Sequence, residues 1–311
     1  MKQRNLGKSG LRVSLVGLGC NNFGGRIDFE ASEKVIHAAL DAGITLFDTA
    51  DIYGNAGGSE EILGKVLGER RKEIVLATKF GMQMGADSTK KGASRRYIMA
   101  EVEDSLRRLK TDWIDLYQLH QADPLTPIEE TLRALDDLVA QGKVRYIGCS
   151  NLPAWQVVDA LWTSRSLRIN AFVSCQDEYS LLVRGPEKEL LPAIEAHGLG
   201  LLPYFPLASG LLTGKYKGGK MPEGARITKS EGLQNRLMTE KNLAIVENLE
   251  RFAAKSGHTL LELAFSWLAA RPALSSVIAG ATKPEQIEVN VKAADWELSA
   301  EDLAEIDRIA A

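Results

Sequence analysis

Short apolar segments alternate along most of the chain with longer segments of helical periodicity. Eight apolar runs have the length of strands, and they cover residues 14–19, 45–49, 74–80, 114–120, 144–150, 171–176, 201–205 and 275–280. Alternation of this kind is typical of parallel βαβ units. The pattern therefore predicts eight successive strand and helix pairs.

Local signals mark the start of several predicted helices. Thr126, Pro127 and Glu129 have the spacing of a capping box with proline at the first helical position. Ser299 and Asp302 indicate the start of a final helix after the eighth strand. Helices are therefore expected both between the fourth and fifth strands and at the end of the chain.

Two segments depart from this alternation. Near the start, Gly7 and Gly10 suit a hairpin turn. After the seventh strand, residues 207–240 are rich in glycine with little apolar periodicity, which predicts a long loop, and residues 259–272 have the pattern of a buried helix. Together the elements predict an α/β fold, a single (β/α)8 TIM barrel over residues 1–311 with a short N-terminal hairpin and a long loop after strand 7.

Composition narrows the classes of partner. Lys and Arg total 38 against 41 Asp and Glu, so the net charge of -3 offers no broad basic surface for nucleic acid. No apolar run reaches the roughly 18 residues that span a bilayer. The three cysteines, Cys20, Cys149 and Cys175, form no CxxC motif. We expect a cytoplasmic protein that binds neither nucleic acid nor membrane, and the sequence leaves its oligomeric state open.

Ionisable residues stand at the ends of three consecutive predicted strands. Asp48, Lys79 and His120 lie at the ends of the second, third and fourth strands, and Tyr53 follows Asp48 in the next turn. Strands buried on both faces are expected to be apolar, and the carboxyl ends of barrel strands meet at one mouth. The sequence therefore predicts a functional site at that mouth.

Each of these residues also has a purely structural explanation. Asp48 and Lys79 could form a buried ion pair that satisfies only itself. His120 could be a hydrogen-bonded structural residue, and Tyr53 could pack with its hydroxyl in water. Their occurrence together on one rim favours a chemical role.

The four residue types suit proton donation to a carbonyl oxygen. A tyrosine hydroxyl has a reference pKa of about 10, and we expect the neighbouring ammonium of Lys79 to lower the pKa of Tyr53. Asp48 would hold Lys79 charged and in place, while His120 would hydrogen-bond the substrate oxygen. The set predicts a proton donor beside a site that polarises a carbonyl.

Other chemistries have less support in the sequence. His37, His197 and His258 lie in helical or helix-end contexts without neighbouring ligands, so no metal site is expected. The motifs GxSxG and GxxxxGK[ST] are absent. The segment GLGCNN at residues 17–22 lacks the third glycine of a dinucleotide fingerprint. A nicotinamide cofactor would therefore be bound without a Rossmann domain.

At these residues the sequence resembles the aldo-keto reductase superfamily, in particular its bacterial branch related to potassium-channel β subunits. The resemblance runs nearly end to end, through RNLGKSGLRVSLVGLG, DAGITLFDTADIYG, ATKFG, DLYQLHQAD, GKVRYIGCSN, QDEYSLLVR, YFPLASGLLTGKY and VIAGATKPEQIEVN. It implies NADP(H)-dependent reduction of aldehydes or ketones to alcohols, with hydride from the nicotinamide and Tyr53 as proton donor.

The resemblance also implies a set of cofactor contacts. The residues that would hold the carboxamide and the nicotinamide ring are Ser150, Asn151, Gln176 and Tyr204. Those that would hold the pyrophosphate are Leu207, Ser209, Gly210, Leu212 and Lys215, with Arg226 near the phosphates. Those that would enclose the adenosine end are Gly280, Thr282, Gln286 and Asn290. The sequence departs from the family pattern at Phe205, Ala279 and Val289.

Several alternatives remain at this point. Ser150 and Asn151 could serve only as a helix cap, and Gly280 could serve only to form a turn. Lys215 could be a solvated charge on a loop. The protein could also be an NADP(H)-binding redox sensor or auxiliary subunit with little turnover. A phosphate-handling barrel isomerase fits the fold but not the cofactor-binding segments. The natural substrate is not indicated.

Overall fold

The chain forms a barrel of parallel strands in a computed structural model that describes residues 1–216 and 227–311. Within those residues the sheet has eight strands, namely β3 (Val16–Gly19), β4 (Leu46–Asp48), β5 (Val75–Phe80), β6 (Ile114–Leu119), β7 (Val144–Ser150), β8 (Ser174–Gln176), β9 (Gly200–Leu201) and β10 (Val277–Gly280). From β3 to β9 each strand pairs in parallel with the next, and β10 pairs with β3. An isolated parallel bridge joins Leu201 of β9 to Leu274, which lies just before β10. The predicted (β/α)8 fold is confirmed.

Helices cover the outside of the sheet. In the described part of the chain they are α1 (Phe29–Asp41), α2 (Tyr53–Val66), α3 (Arg95–Leu109), α4 (Ile128–Ala140), α5 (Ala154–Leu167), α6 (Leu190–His197), α7 (Glu231–Leu237), α8 (Glu240–Lys255), α9 (Leu260–Ala269), α10 (Pro284–Lys292) and α11 (Ala300–Ile309). The larger of two hydrophobic clusters lies between these helices and the strands. No helix among these residues is long and apolar enough to cross a membrane.

The predicted hairpin is confirmed and covers the amino ends of the barrel strands. Strands β1 (Gln3–Asn5) and β2 (Arg12–Ser14) pair in antiparallel fashion. Leu6 and Val13 belong to the smaller hydrophobic cluster, together with barrel-interior residues such as Leu46. Gly7 has a φ of 57°, and a Cβ there would lie 2.5 Å from the amide nitrogen of Gly200. Only glycine fits where the hairpin turn meets the barrel.

Of the eight predicted strands, only Val144–Ser150 has the predicted bounds, and two of the differences have a clear local cause. Ser14 ends the hairpin strand β2, so the first barrel strand begins at Val16 and not at residue 14. The seventh strand is Gly200–Leu201 and not residues 201–205. Pro203 has no N–H to continue the ladder, and the chain returns to the sheet only at an isolated bridge between Glu178 and Tyr204.

The predicted capping box at the start of α4 is wrong. Pro127 is the N-cap of α4, which takes no side-chain cap from any residue that the structure describes. The hydroxyl of Thr126 donates instead to Asp123 at 2.7 Å, because that carboxylate competes for it. The predicted start of the final helix at Ser299 is confirmed, and there Ser299 and Asp302 form a capping box at the start of α11.

The connection after β9 is more helical than predicted. Its described residues include short 3-10 helices at Ala208–Thr213 and Ile227–Lys229, followed by α7. The side chain of Ser230 caps α7 by accepting from the N–H of Leu233, a local signal that the glycine content obscured. The predicted buried helix is confirmed as α9, which begins with a capping box at Thr259.

Candidate active site

The four predicted catalytic residues come together at the carboxyl ends of consecutive strands. Asp48 is the last residue of β4, Lys79 lies near the end of β5, and His120 follows β6 directly. Tyr53 is the first residue of α2, in the connection that leaves β4. Parallel pairing of these strands brings the side chains to one mouth of the barrel.

The ammonium of Lys79 lies at the centre of these four residues. Its side chain is fully buried, and Nζ donates to Asp48 Oδ2 at 2.6 Å and to the carbonyl oxygen of Thr49 at 2.9 Å. The hydroxyl oxygen of Tyr53 lies 3.4 Å from Nζ and accepts the third N–H. The ion pair therefore does not satisfy only itself, because the ammonium also contacts the predicted proton donor.

An irregular backbone segment holds Tyr53 at the mouth. The residues that follow it, Gly54, Asn55, Ala56 and Gly57, all have positive φ, a conformation that costs L-residues about 1–2 kcal/mol each. A Cβ on Gly54 would lie 2.5 Å from the carbonyl oxygen of Phe23. This left-handed segment therefore packs closely against the loop after β3. The close packing restricts the direction in which the Tyr53 side chain leaves the backbone.

Burial and charge act in opposite directions on Tyr53. Burial raises the pKa of Tyr53 above its ordinary value, the ammonium of Lys79 opposes this, and Asp48 adds to the increase. Lys79 does lower the pKa of Tyr53, as expected, but burial outweighs the ammonium, so the pKa is raised overall. Burial alone would lower the pKa of Lys79, but attraction to Asp48 and Tyr53 raises it. At neutral pH the site pairs a neutral phenol with a charged ammonium.

His120 completes the mouth as a neutral imidazole. Its ring meets that of Tyr53 edge to face, with centroids 5.7 Å apart. Burial, with a smaller contribution from Lys79, lowers the pKa of His120 to about 3. Its buried Nδ1 has no hydrogen-bond partner among the described residues. A neutral imidazole beside a phenol can hydrogen-bond the oxygen of a bound carbonyl group.

A cavity of about 470 Å³ opens at this mouth, within the usual size of small-molecule and cofactor sites. The predicted site residues that line it are Asp48, Tyr53, His120, Ser150, Asn151, Gln176, Tyr204, Leu207, Ser209, Gly210, Lys215, Gly280, Thr282 and Gln286. Lys79 lies beneath Tyr53, and Leu212 and Asn290 are buried away from the cavity wall. Arg226 lies outside the described residues.

Ser150 and Asn151 belong to the polar wall of the cavity. The side chain of Asn151 donates to the carbonyl oxygen of His120 at 3.0 Å and accepts from the hydroxyl of Tyr204 at 2.8 Å. Helix α5 starts only after Pro153, without a side-chain cap from the residues that the structure describes. The alternative that Ser150 and Asn151 merely cap a helix is therefore wrong.

The wall formed after β9 has features that fit a phosphate group. Ala208, Ser209 and Gly210 have consecutive positive φ values. Ser209 lines the cavity with a buried Oγ that has no hydrogen-bond partner within residues 1–216 and 227–311. Burial and the nearby charge of Arg26 lower the pKa of Lys215, which lines the same wall. The hydroxyl of Ser209 and the positive charges of Lys215 and Arg26 suit an anionic ligand.

The opposite end of the cavity is formed by the loops after β3 and β10. Gln286 folds back so that its Oε1 accepts from the backbone N–H of Thr282 at 2.7 Å. Asn22 donates to the carbonyl oxygen of Ala281 at 3.2 Å, and a Cβ on Gly280 would lie 3.0 Å from Asn22 Nδ2. The two loops therefore form a continuous rim.

Sequence reasoning missed several residues of the site. The unpredicted polar or flexible side chains that line the cavity include Asn21, Asn22, Arg26, Met82 and Thr213. It also missed Gln118, whose Nε2 donates to Asp48 Oδ1 at 3.1 Å. A polar residue inside the apolar run IDLYQL was the available signal for Gln118.

Comparison with known proteins identifies the family. The model of the Aldo/keto reductase family matches residues 15–311, and the chain belongs to this family. A probable voltage-gated potassium channel subunit beta of Oryza sativa subsp. japonica is 39% identical over 95% of the chain and 92% of its own length. The L-glyceraldehyde 3-phosphate reductase of Escherichia coli K12 is 36% identical over 99% and 92%. An uncharacterized oxidoreductase of Bacillus subtilis is 38% identical over 99% and 96%. The family and these reductases support an oxidoreductase.

The lowered pKa predicts that His120 does not titrate in the physiological range. Because burial disfavours the imidazolium ion, the ring is expected to stay neutral as the pH falls to about 4. Ring-carbon NMR of ¹³C-histidine-labelled protein measures this, with a His120→Asn variant to assign the signal. A titration midpoint of His120 near the ordinary value of about 6.5 contradicts the account of its burial.

Proposed function

We propose that this protein reduces aldehydes or ketones to alcohols with NADPH, and that Tyr53 donates the proton. The observation that carries the proposal is the ammonium of Lys79, which contacts both Asp48 and the hydroxyl of Tyr53 at the mouth of the cavity. The third N–H of a buried ammonium needs an acceptor, and here that acceptor is a phenol that lines the cavity.

The cofactor would lie along the cavity. A bound reduced nicotinamide supplies a hydride to the carbonyl carbon. Ser150, Asn151 and Gln176 are proposed to hold its carboxamide, and Tyr204 to stack on the ring. The pyrophosphate is assigned to Ser209, Gly210, Lys215 and their neighbours Leu207 and Leu212, with the sequence also suggesting Arg226. The adenosine end is assigned to Gly280, Thr282, Gln286 and Asn290. Ser209 Oγ, which has no hydrogen-bond partner in the part of the chain that the structure describes, supports this arrangement because a phosphate oxygen could be its acceptor.

Proton transfer follows from the charges around Tyr53. The substrate oxygen would accept hydrogen bonds from Tyr53 and from the neutral ring of His120. Tyr53 gives its proton to that oxygen, and the resulting phenolate is stabilised by the ammonium of Lys79 at its side. The raised pKa of Lys79 keeps this group charged throughout.

An NADP(H)-binding sensor or auxiliary subunit is the second candidate. The observation in its favour is the similarity to proteins named as potassium-channel β subunits. The assembled proton donor favours the enzyme, since tight cofactor binding alone does not require it. Steady turnover of a panel of carbonyl compounds supports the reductase, whereas tight NADPH binding with negligible turnover supports the sensor.

The first test is Tyr53→Phe, which removes the proton and little volume. The variant is expected to bind NADPH nearly as the parent does and to lose on the order of 10²–10⁴ in kcat, the usual contribution of general acid catalysis. Tyr146→Phe removes a phenol from β7, outside the cavity, and serves as control. If Tyr53→Phe turns over a good substrate within a few-fold of the parent rate, the proton donor is assigned wrongly.

The second test concerns the choice of cofactor. Lys283 is exposed beside Thr282 and precedes α10, whose N-terminal N–H groups favour an anion. NADPH is expected to bind more tightly than NADH, and Lys283→Gln to reduce that difference. Titration of tryptophan fluorescence measures both affinities. Lys292→Gln, at the far end of α10, is the matched control. Equal affinities of the parent for the two cofactors would remove the 2′-phosphate assignment.

A further inference from the structure

The interior of the barrel changes from apolar to polar near the mouth. Its apolar layer includes Leu46, Ala77 and Leu116. Two residues further along each of these strands stand Asp48, Lys79 and Gln118, all of them buried. Gln118 pairs in register with Lys79 on the neighbouring strand. An amide at this depth needs partners for both its donor and its acceptor.

Gln118 finds both partners in the site. Its Nε2 donates to Asp48 Oδ1 at 3.1 Å, and its Oε1 accepts from Gln176 Nε2 at 3.4 Å. Gln176 Nε2 donates in turn to the same Asp48 oxygen at 2.8 Å. Gly148 lies opposite in β7, where a Cβ would lie only 3.3 Å from Gln118 Cγ. The absent side chain leaves room for this closed triangle of hydrogen bonds.

The triangle fixes Asp48 from the side opposite Lys79. Asp48 Oδ2 accepts from the ammonium of Lys79, and Oδ1 accepts from the two amides. The carboxylate of Asp48 therefore cannot rotate without breaking a charge-assisted hydrogen bond. The position of Lys79, and through it that of Tyr53, therefore depends on an uncharged residue that does not line the cavity.

The triangle also fixes the orientation of the Gln176 amide. Both hydrogens of its Nε2 are used, one by Asp48 and one by Gln118. Its Oε1 remains as the acceptor on a side chain that lines the cavity. An acceptor in this position selects a ligand that presents an N–H, such as the amide of a carboxamide.

We infer that Gln118 is a positioning residue, which orients Asp48 for the proton donor and the Gln176 amide for the cofactor carboxamide at the same time. The inference rests on the proposed function. One buried amide, that of Gln118, thereby couples the position of the nicotinamide, which delivers the hydride, to the position of Tyr53, which holds the proton.

The experiment compares Gln118→Met, which keeps the length but lacks the amide, with Tyr117→Phe. Tyr117 is the adjacent buried residue of β6, and its hydroxyl has no partner among the described residues. Gln118→Met is expected to lower kcat roughly 10–100-fold, the equivalent of one hydrogen bond to a buried charge, with KM for the carbonyl substrate within a few-fold.

A binding measurement tests the same residue without turnover. The parent should bind NADP⁺ more tightly than its 3-acetylpyridine analogue, which lacks the carboxamide N–H. Gln118→Met should reduce this preference, whereas Tyr117→Phe should retain it. An unchanged cofactor preference together with an unchanged kcat in Gln118→Met overturns the inference. A parent that binds NADP⁺ but reduces no carbonyl compound contradicts the proposed function, and the analogue comparison still decides the role of Gln118.

Discussion

The site depends on one contact, the ion pair between Lys79 and Asp48 inside the barrel. Removing an ammonium ion from water is costly unless it is paired and hydrogen-bonded. Here every N–H of Lys79 has an acceptor, and one of these acceptors is the hydroxyl of Tyr53. The barrel supplies the geometry, because consecutive parallel strands place their carboxyl ends side by side.

Backbone and side-chain contacts around this pair restrain the positions of Tyr53 and Asp48. The left-handed segment at residues 54–57 directs Tyr53, and the amides of Gln118 and Gln176 restrain Asp48. Because burial raises the pKa of Tyr53, this residue keeps its proton at neutral pH. The ammonium of Lys79 favours the phenolate that would form when the proton is given up. The proposed reduction of a carbonyl group calls for a buried proton donor with a charged neighbour.

Most of the barrel and the four residues at its mouth could be predicted from the sequence. Apolar runs mark buried strands, and an ionisable residue such as Lys79 at the end of such a run is conspicuous. The sequence shows Gln118 only as one uncharged amide inside an apolar run, because its contacts with Asp48 and Gln176 exist only in the folded barrel. The pKa of Tyr53 depends on burial, which is a property of the folded chain. Likewise Thr126 has the pattern of a cap, but Asp123 binds its hydroxyl in the folded chain.

The most direct test of the central claim is the pKa of Tyr53 in the parent and in Lys79→Met. An ultraviolet difference titration, with Tyr53→Phe variants as the subtracted background, reports the formation of its phenolate. Lys79 lowers the pKa of Tyr53 while burial and Asp48 raise it, so the account predicts a higher pKa of Tyr53 once Lys79 is removed. A pKa of Tyr53 that stays the same or falls in Lys79→Met would show that the ammonium does not control the proton donor.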